Sequence, residues 1–251
     1  MGAGGSSHIS LRDVRRMFPG GVEAVGGIDL DICAGEFVAM IGPSGCGKST
    51  LLRIIAGLDR ATGGEVKITP ARPRVAFVFQ DAHLLPWRDV ADNVELPLEL
   101  AGVPQAQRGA RVLDALEQVR LTDVLERYPA QLSGGMRMRV SLARALVTEP
   151  EVLLLDEPFA ALDEITRQHL DDQLRELWSR RRMTTIFVTH SIMEAAYLAD
   201  RAIVLTRRPA QVVVDHRLDL PNERRSALRG EARFAGEMRV LMEALARGEG
   251  A

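Results

Sequence analysis

The chain has 251 residues, 46% hydrophobic and 26% charged, which allows one large domain or two small ones and excludes a wholly disordered chain. Lys and Arg total 32 against 34 Asp and Glu, a net charge of −2, which speaks against a broad nucleic-acid-binding surface. Two cysteines, Cys33 and Cys46, are too few for a disulfide framework or a four-ligand zinc site and point to a reducing, cytoplasmic setting. No apolar run approaches the ~18 residues that cross a bilayer. The Gly/Ser-rich start, read as a flexible leader over 1–8, lacks the basic and apolar regions of a secretory signal.

Residues 9–15 and 25–32 alternate apolar and polar positions as strands do, and a Pro19-Gly20-Gly21 turn separates them. A short, mostly apolar run over 36–41 ends abruptly in a glycine-rich loop. Beyond it, Leu51, Leu52, Ile54, Ile55 and Leu58 recur at helical spacing within 49–58, closed by Gly57 and Asp59. Residues 75–79 read as a strand rich in β-formers. Helical patterns then dominate, over 90–100, 107–119 and 136–147, punctuated by Pro86, Pro97, Pro104 and Pro129. Strand patterns return at 152–155, 184–189, 202–205 and 211–214, with helical stretches at 164–180 and 192–199 between them. A helical subdomain over about 81–150 set within an α/β core is expected. A charged tail follows over 221–251, with a weak helical pattern from 233 to 246.

Between the 36–41 strand and the 49–58 helix, Gly42-Pro43-Ser44-Gly45-Cys46-Gly47-Lys48-Ser49-Thr50 has the form G-x-x-x-x-G-K-[ST]. Glycines let such a loop curl until successive backbone N–H groups converge on phosphate oxygens, and the next helix adds its positive N-terminal dipole. Lys48 is expected to reach the β- and γ-phosphates, and the Ser49 hydroxyl to coordinate Mg²⁺. Cys46, at a helix start, is either a redox-active thiol or simply a small residue that fits the loop. Val152-Leu153-Leu154-Leu155-Asp156-Glu157 is an apolar strand ending in two carboxylates, suited to the middle of a parallel sheet. Following a phosphate loop, Asp156 is expected to help hold the magnesium and Glu157 to orient or deprotonate an attacking water.

From about Ile9 to Leu220 the chain resembles the ATP-binding subunits of ABC transporters. Leu132-Ser133-Gly134-Gly135-Met136 looks like the family's signature loop, a Ser and two Gly ahead of a helix start that favours anions. Gln80 matches the Q-loop glutamine, which senses Mg²⁺ or water, and Ala160-Ala161-Leu162-Asp163 resembles the D-loop. His190 matches the switch histidine, and Phe18 stands where the family has an adenine-stacking aromatic, although Phe-Pro-Gly also suits a hairpin corner. At one place the chain departs from the pattern: Arg137-Met138-Arg139 has Met where a Gln usually lies between the two basic residues. A thioether cannot replace the amide's hydrogen bonds, so looser dimer closure is expected.

The resemblance implies a P-loop NTPase (RecA-like) core with an N-terminal antiparallel β subdomain and an inserted α-helical subdomain, spanning residues 9–220. It implies two ATP molecules sandwiched in a head-to-tail homodimer. Each is held by the phosphate loop, Asp156 and Gln80 of one copy and covered by Leu132–Met136 of the other, with Mg²⁺ as cofactor. Such an ATPase docks on the cytoplasmic face of a membrane against a separate permease, in a system that includes a periplasmic or extracellular solute-binding protein. Leu84, Leu85 and Trp87 are expected either to form part of that docking groove or to pack the helical subdomain. Residues 83–87 and 158–167, with the short tail, look most like the nitrate, sulfonate and taurine importer group. The short interval from Gln80 to Ser133 leaves no room for the long insertions of DNA-repair ATPases of this family.

Overall fold

The computed structural model describes residues 8–250; apart from His8, the expected leader lies outside the described residues. β1 (His8–Phe18) and β2 (Val22–Ile32) form an antiparallel hairpin. Gly20 and Gly21, at φ +95° and +81°, supply the left-handed turn between them. β3 (Phe37–Ile41) leads through the glycine-rich loop into α1 (Lys48–Ile55), and β4 (Gly63–Thr69) returns to pair with β1. The sequence reading lacks β4 altogether. Its pattern has only two apolar residues, Val66 and Ile68, which pack on the hairpin from the edge of the sheet, while Lys67 and Glu65 pair with each other at 2.6 Å on its outer face. α1 is also shorter than expected, because Gly57 at φ +72° turns the chain and Leu58 N–H reaches back to the Arg53 carbonyl, leaving Leu58 exposed.

β5 (Val75–Val78) follows, then α2 (Val90–Leu100), α3 (Gln105–Gln118) and α4 (Gly134–Leu146). The rest of the frame is β6 (Val152–Asp156), α5 (Glu164–Arg181), β7 (Thr184–Val188), α6 (Ile192–Leu198), β8 (Arg201–Leu205), β9 (Val212–Arg217) and α7 (Ala232–Glu249). The main sheet runs β5-β6-β7-β3-β8-β9, with every pair parallel except the antiparallel edge β8-β9. β3, β6 and β7 are buried at every position, which explains their nearly continuous apolar sequences.

Strand alternation divides the core in two. Phe37, Ala39, Leu153, Leu155 and Phe187 face a cluster built with α2 to α7. Val38, Met40, Leu154, Ile186 and Val188 face a second cluster closed by α1 and the antiparallel sheet. The segment beyond 220 contributes to the first of these. Phe234, Leu241 and Ala244 of α7 are buried, and Phe234 meets Tyr197 edge-on at 6.5 Å. Glu237 bonds His216 of β9 at 2.7 Å, and the Gly248 carbonyl accepts the Arg207 N–H at 3.1 Å.

α5 buries Asp171 almost completely, with its Oδ1 unpartnered and its Oδ2 3.6 Å from Arg229. Burial first, and the nearby Glu194 charge second, push its carboxyl up to about 8. The unfolded chain ionises there near 4, so the folded state binds the extra proton between these values. Its stability therefore falls as pH rises from about 4 to about 8. Asp171→Asn keeps the shape and removes the ionisation. Its thermal midpoint relative to the parent chain is expected to be higher at pH 9 than at pH 4, by the equivalent of at least about 1 kcal/mol. Melting curves at the two pH values check this.

Candidate active site

The glycine loop owes its shape to what lies beneath it. Gly47 adopts φ +126°, and a Cβ there would lie 2.4 Å from the Ala24 carbonyl oxygen of β2. Gly45, at φ +72°, turns the chain outward. Cys46 is buried and packs in the second core cluster, as suits a small residue that fits the loop. α1 begins at Lys48 with no side chain capping its N-terminus, which leaves its first N–H groups for an anion.

Five side chains predicted from different parts of the sequence converge at this loop. Lys48 Nζ folds back on the Gly42 and Pro43 carbonyls, at 2.8 and 3.0 Å, and lies 3.9 Å from Glu157 Oε1. The Ser49 hydroxyl donates to Asp156 Oδ1 at 2.7 Å. Burial pushes the Asp156 carboxyl above the usual range, and the Ser49 hydrogen bond opposes that shift. Glu157 Oε2 lies 3.1 Å from His190 Nδ1. Its backbone sits at φ +47°, a left-handed conformation unusual for a side-chain-bearing residue, and is fixed by its N–H bonding the Val188 carbonyl. Gln80 is exposed two residues beyond Val78, which registers with Leu155, so it emerges from the sheet edge beside Asp156 and Glu157.

Other expected residues lie apart. Phe18 ends β1 half-buried, with the Arg16 guanidinium 4.6 Å from its ring centre. Ser133 caps α4, accepting the Met136 N–H at 3.2 Å, and Leu132 is buried. Gly134 and Gly135 face the D-loop side: a Cβ on Gly135 would meet Thr166 at 2.8 Å, and one on Gly134 would touch Leu162. The cavity at the phosphate loop is walled by Gly45 to Thr50, Glu157 and Arg208, with none of the residues Leu132 to Met136. Met138 points into the first apolar cluster and is buried, a place where a thioether packs better than an amide. Leu84 packs on that cluster, whereas Trp87 is 71% exposed, so the two readings of this segment divide between them.

Three polar residues escape sequence reasoning. Arg208, in the β8–β9 turn, donates twice to the Gly45 carbonyl, at 2.6 and 3.1 Å. Asn93 is fully buried in α2 and donates to the Leu85, Arg88 and Asp89 carbonyls while accepting the Leu85 N–H. Arg144 binds the Ala82 and His83 carbonyls, so it and Asn93 together mould the segment after Gln80. An amide on an otherwise apolar helix face marks Asn93 in retrospect; nothing local in the sequence marks Arg208.

A glycine-shaped loop at the end of a buried parallel strand, with a Lys, a Ser–Asp pair and a Glu–His pair around it, defines a P-loop nucleotide site. The family model for ABC transporters matches residues 25–160. An aliphatic sulfonates import ATP-binding protein from Mycobacterium sp. (strain MCS) is 48% identical over 237 residues, covering 94% of this chain and 93% of that protein. A protein of the same name from Pseudomonas entomophila is 44% identical, covering 94% and 86%. Among solved structures, the dimeric bacterial ABC transporter cassette MJ0796 matches with a TM-score of 0.76 at 34% identity, covering 85% of this chain and all of that one. A dimeric post-hydrolysis state of that cassette, bound to ADP and Pi, matches with a TM-score of 0.74 at 33% identity. This chain belongs to the ABC transporter family and is an ATP-binding cassette that hydrolyses ATP. Among the described residues no helix is long and apolar enough to cross a membrane.

Because the Gly47 Cβ position is already filled by backbone, Gly47→Ala forces the loop off its seat. The variant is expected to melt at lower temperature and to lose the stabilisation that saturating ATP gives the parent chain. Thermal shift with and without ATP measures both.

Proposed function

We propose that this chain is the motor of an importer for small anions of the sulfonate, taurine or nitrate kind. Two copies hydrolyse ATP head to tail, on the cytoplasmic face of a membrane, coupled to a separate permease and a solute-binding protein. The observation that carries the chemistry is the single cluster of Lys48, Ser49, Asp156, Glu157 and His190. The importer assignment rests on the relatives named for aliphatic sulfonate import, and the dimer on the likeness to dimeric cassettes.

The backbone N–H groups from Gly45 to Thr50 receive the phosphates, and Lys48 leaves its two carbonyls to reach the terminal ones. The Ser49 hydroxyl and Asp156 carboxylate are hard oxygen donors side by side, a set that fits Mg²⁺, with Gln80 at the rim. Bound there, Mg²⁺ supplies charge neutralisation on the phosphate oxygens. Glu157 accepts a proton from, or orients, the attacking water, and His190 holds Glu157 and the γ-phosphate in register. Phe18 offers a stacking surface to adenine by swinging its ring from Arg16. Leu132, Ser133, Gly134, Gly135 and Met136 present the open start of α4 to the nucleotide held by the partner copy. The exposed Trp87 and the groove lined by Phe79, His83, Pro97 and Leu100 receive the permease. The balanced charge of −2 fits a protein with no nucleic-acid partner.

Glu157→Gln is expected to bind ATP with unchanged affinity, to run as a dimer on size exclusion with ATP, and to lose at least about 100-fold in kcat. Lys48→Ala is expected to lose ATP binding, turnover or both. Normal hydrolysis by Glu157→Gln removes the assigned role of that residue. ATPase activity stimulated by anion-loaded binding protein in liposomes holding the co-purifying permease tests the transport reading.

A further inference from the structure

His190 stands on an exposed connection between β7 and α6, yet the residues on either side of it are tied to one buried acid. The Thr189 hydroxyl donates to Glu194 Oε2, and the same hydroxyl oxygen accepts the Ser191 N–H at 3.0 Å. Ser191 in turn caps α6 by accepting the Glu194 N–H at 3.3 Å. Glu194 is 4% exposed, and its second oxygen, Oε1, has no hydrogen bond. The group it faces is Arg167 Nε, 3.7 Å away, itself buried and without a hydrogen bond. The rest of that guanidinium is committed: Nη2 donates to the Leu162 carbonyl in the D-loop at 2.8 Å, and Nη1 to Glu164 at 3.1 Å. Leu162 lies against Gly134 of the signature loop.

A continuous path thus runs from the signature loop and D-loop through Arg167 and Glu194 to the two residues that bracket His190. Arg167 Nε and Glu194 Oε1 are thus a buried ion pair still without a hydrogen bond between them, and an approach of under ~1 Å converts it into a charge-assisted hydrogen bond. We propose that Arg167 and Glu194 are positioning residues for hydrolysis: Glu194 fixes the His190 loop against Glu157, and Arg167 links that placement to the D-loop. Asp171, Glu164 and His190 are the other charged or titratable groups facing Glu194, and none offers it a cation as close as Arg167. The inference rests on the role proposed for His190.

The test is a double-mutant cycle on steady-state ATPase activity, with ATP affinity measured separately. Glu194→Ala is expected to lower kcat about 10-fold or more with KM for ATP within about twofold. Glu194→Gln, which still accepts the Thr189 hydroxyl but loses the attraction to Arg167, falls between it and the parent chain. Arg167→Ala, which also gives up its bonds to the Leu162 carbonyl and Glu164, loses at least as much kcat as Glu194→Gln. In the His190→Ala background, Glu194→Ala is expected to cost nothing further in kcat. Multiplicative losses in the double variant, or a full kcat in Glu194→Gln and Arg167→Ala, overturn the proposal. If His190→Ala alone keeps its kcat, the underlying role of His190 fails instead, and the two failures are told apart. Should Glu194→Ala melt below assay temperature, Glu194→Gln and Arg167→Ala carry the cycle with His190→Ala.

Discussion

The parallel register of four strands is the constraint on which the rest depends. β5, β6, β7 and β3 hydrogen-bond in that order with their carboxyl ends level, Val78 against Leu155, Asp156 against Val188, and Met40 against Val188. Every loop leaving that edge therefore opens onto the same crevice, as is general for open parallel sheets. Gln80, Asp156 with Glu157, His190 and the phosphate loop are far apart in the chain and neighbours only because of it. The strands themselves cannot slip, since a one-residue shift would exchange the two faces of a sheet that packs different clusters on each.

The same edge sets up the electrostatics. Lys48 is buried, with carbonyl oxygens as close partners and two acids within the cluster, so its charge is held ready without a tight ion pair. Arg208 steadies the outer turn of the loop from a strand pair remote in sequence, and its turn is fastened to β2 through Ala210 and to the end of α7 through Gly248. The Arg208 side chain thus braces the loop from a turn that backbone bonds tie to both sheets.

Features with strong local physics were legible from sequence. The phosphate loop and the acidic end of β6 need particular residue types at fixed spacing, and each lies where the pattern puts it; α4 instead begins at Gly134, two residues before the expected Met136, with Ser133 as its cap. Element boundaries carried by a glycine, such as the end of α1, were nearly so. What was not legible depends on tertiary context. β4 is a strand because β1 offers it a partner, with two apolar residues to show for it. Arg208 and Arg144 act on carbonyls supplied by other segments, and an arginine in a charged stretch looks the same whether it is solvated or bound. Glu194 reads as one more polar helix residue until burial singles it out.

Alternate residues of β3 report to different neighbours: Val38 and Met40 to the cluster under the phosphate loop, Phe37 and Ala39 to the cluster that carries α2 to α7. Adjacent codons therefore address separate machinery. Mutational drift at one position alters the footing of the nucleotide grip, and at the next alters the packing of Phe37 on Trp178 of α5 and Phe187 of β7. A single five-residue strand lets the layers on its two faces be tuned independently while keeping them on one rigid beam.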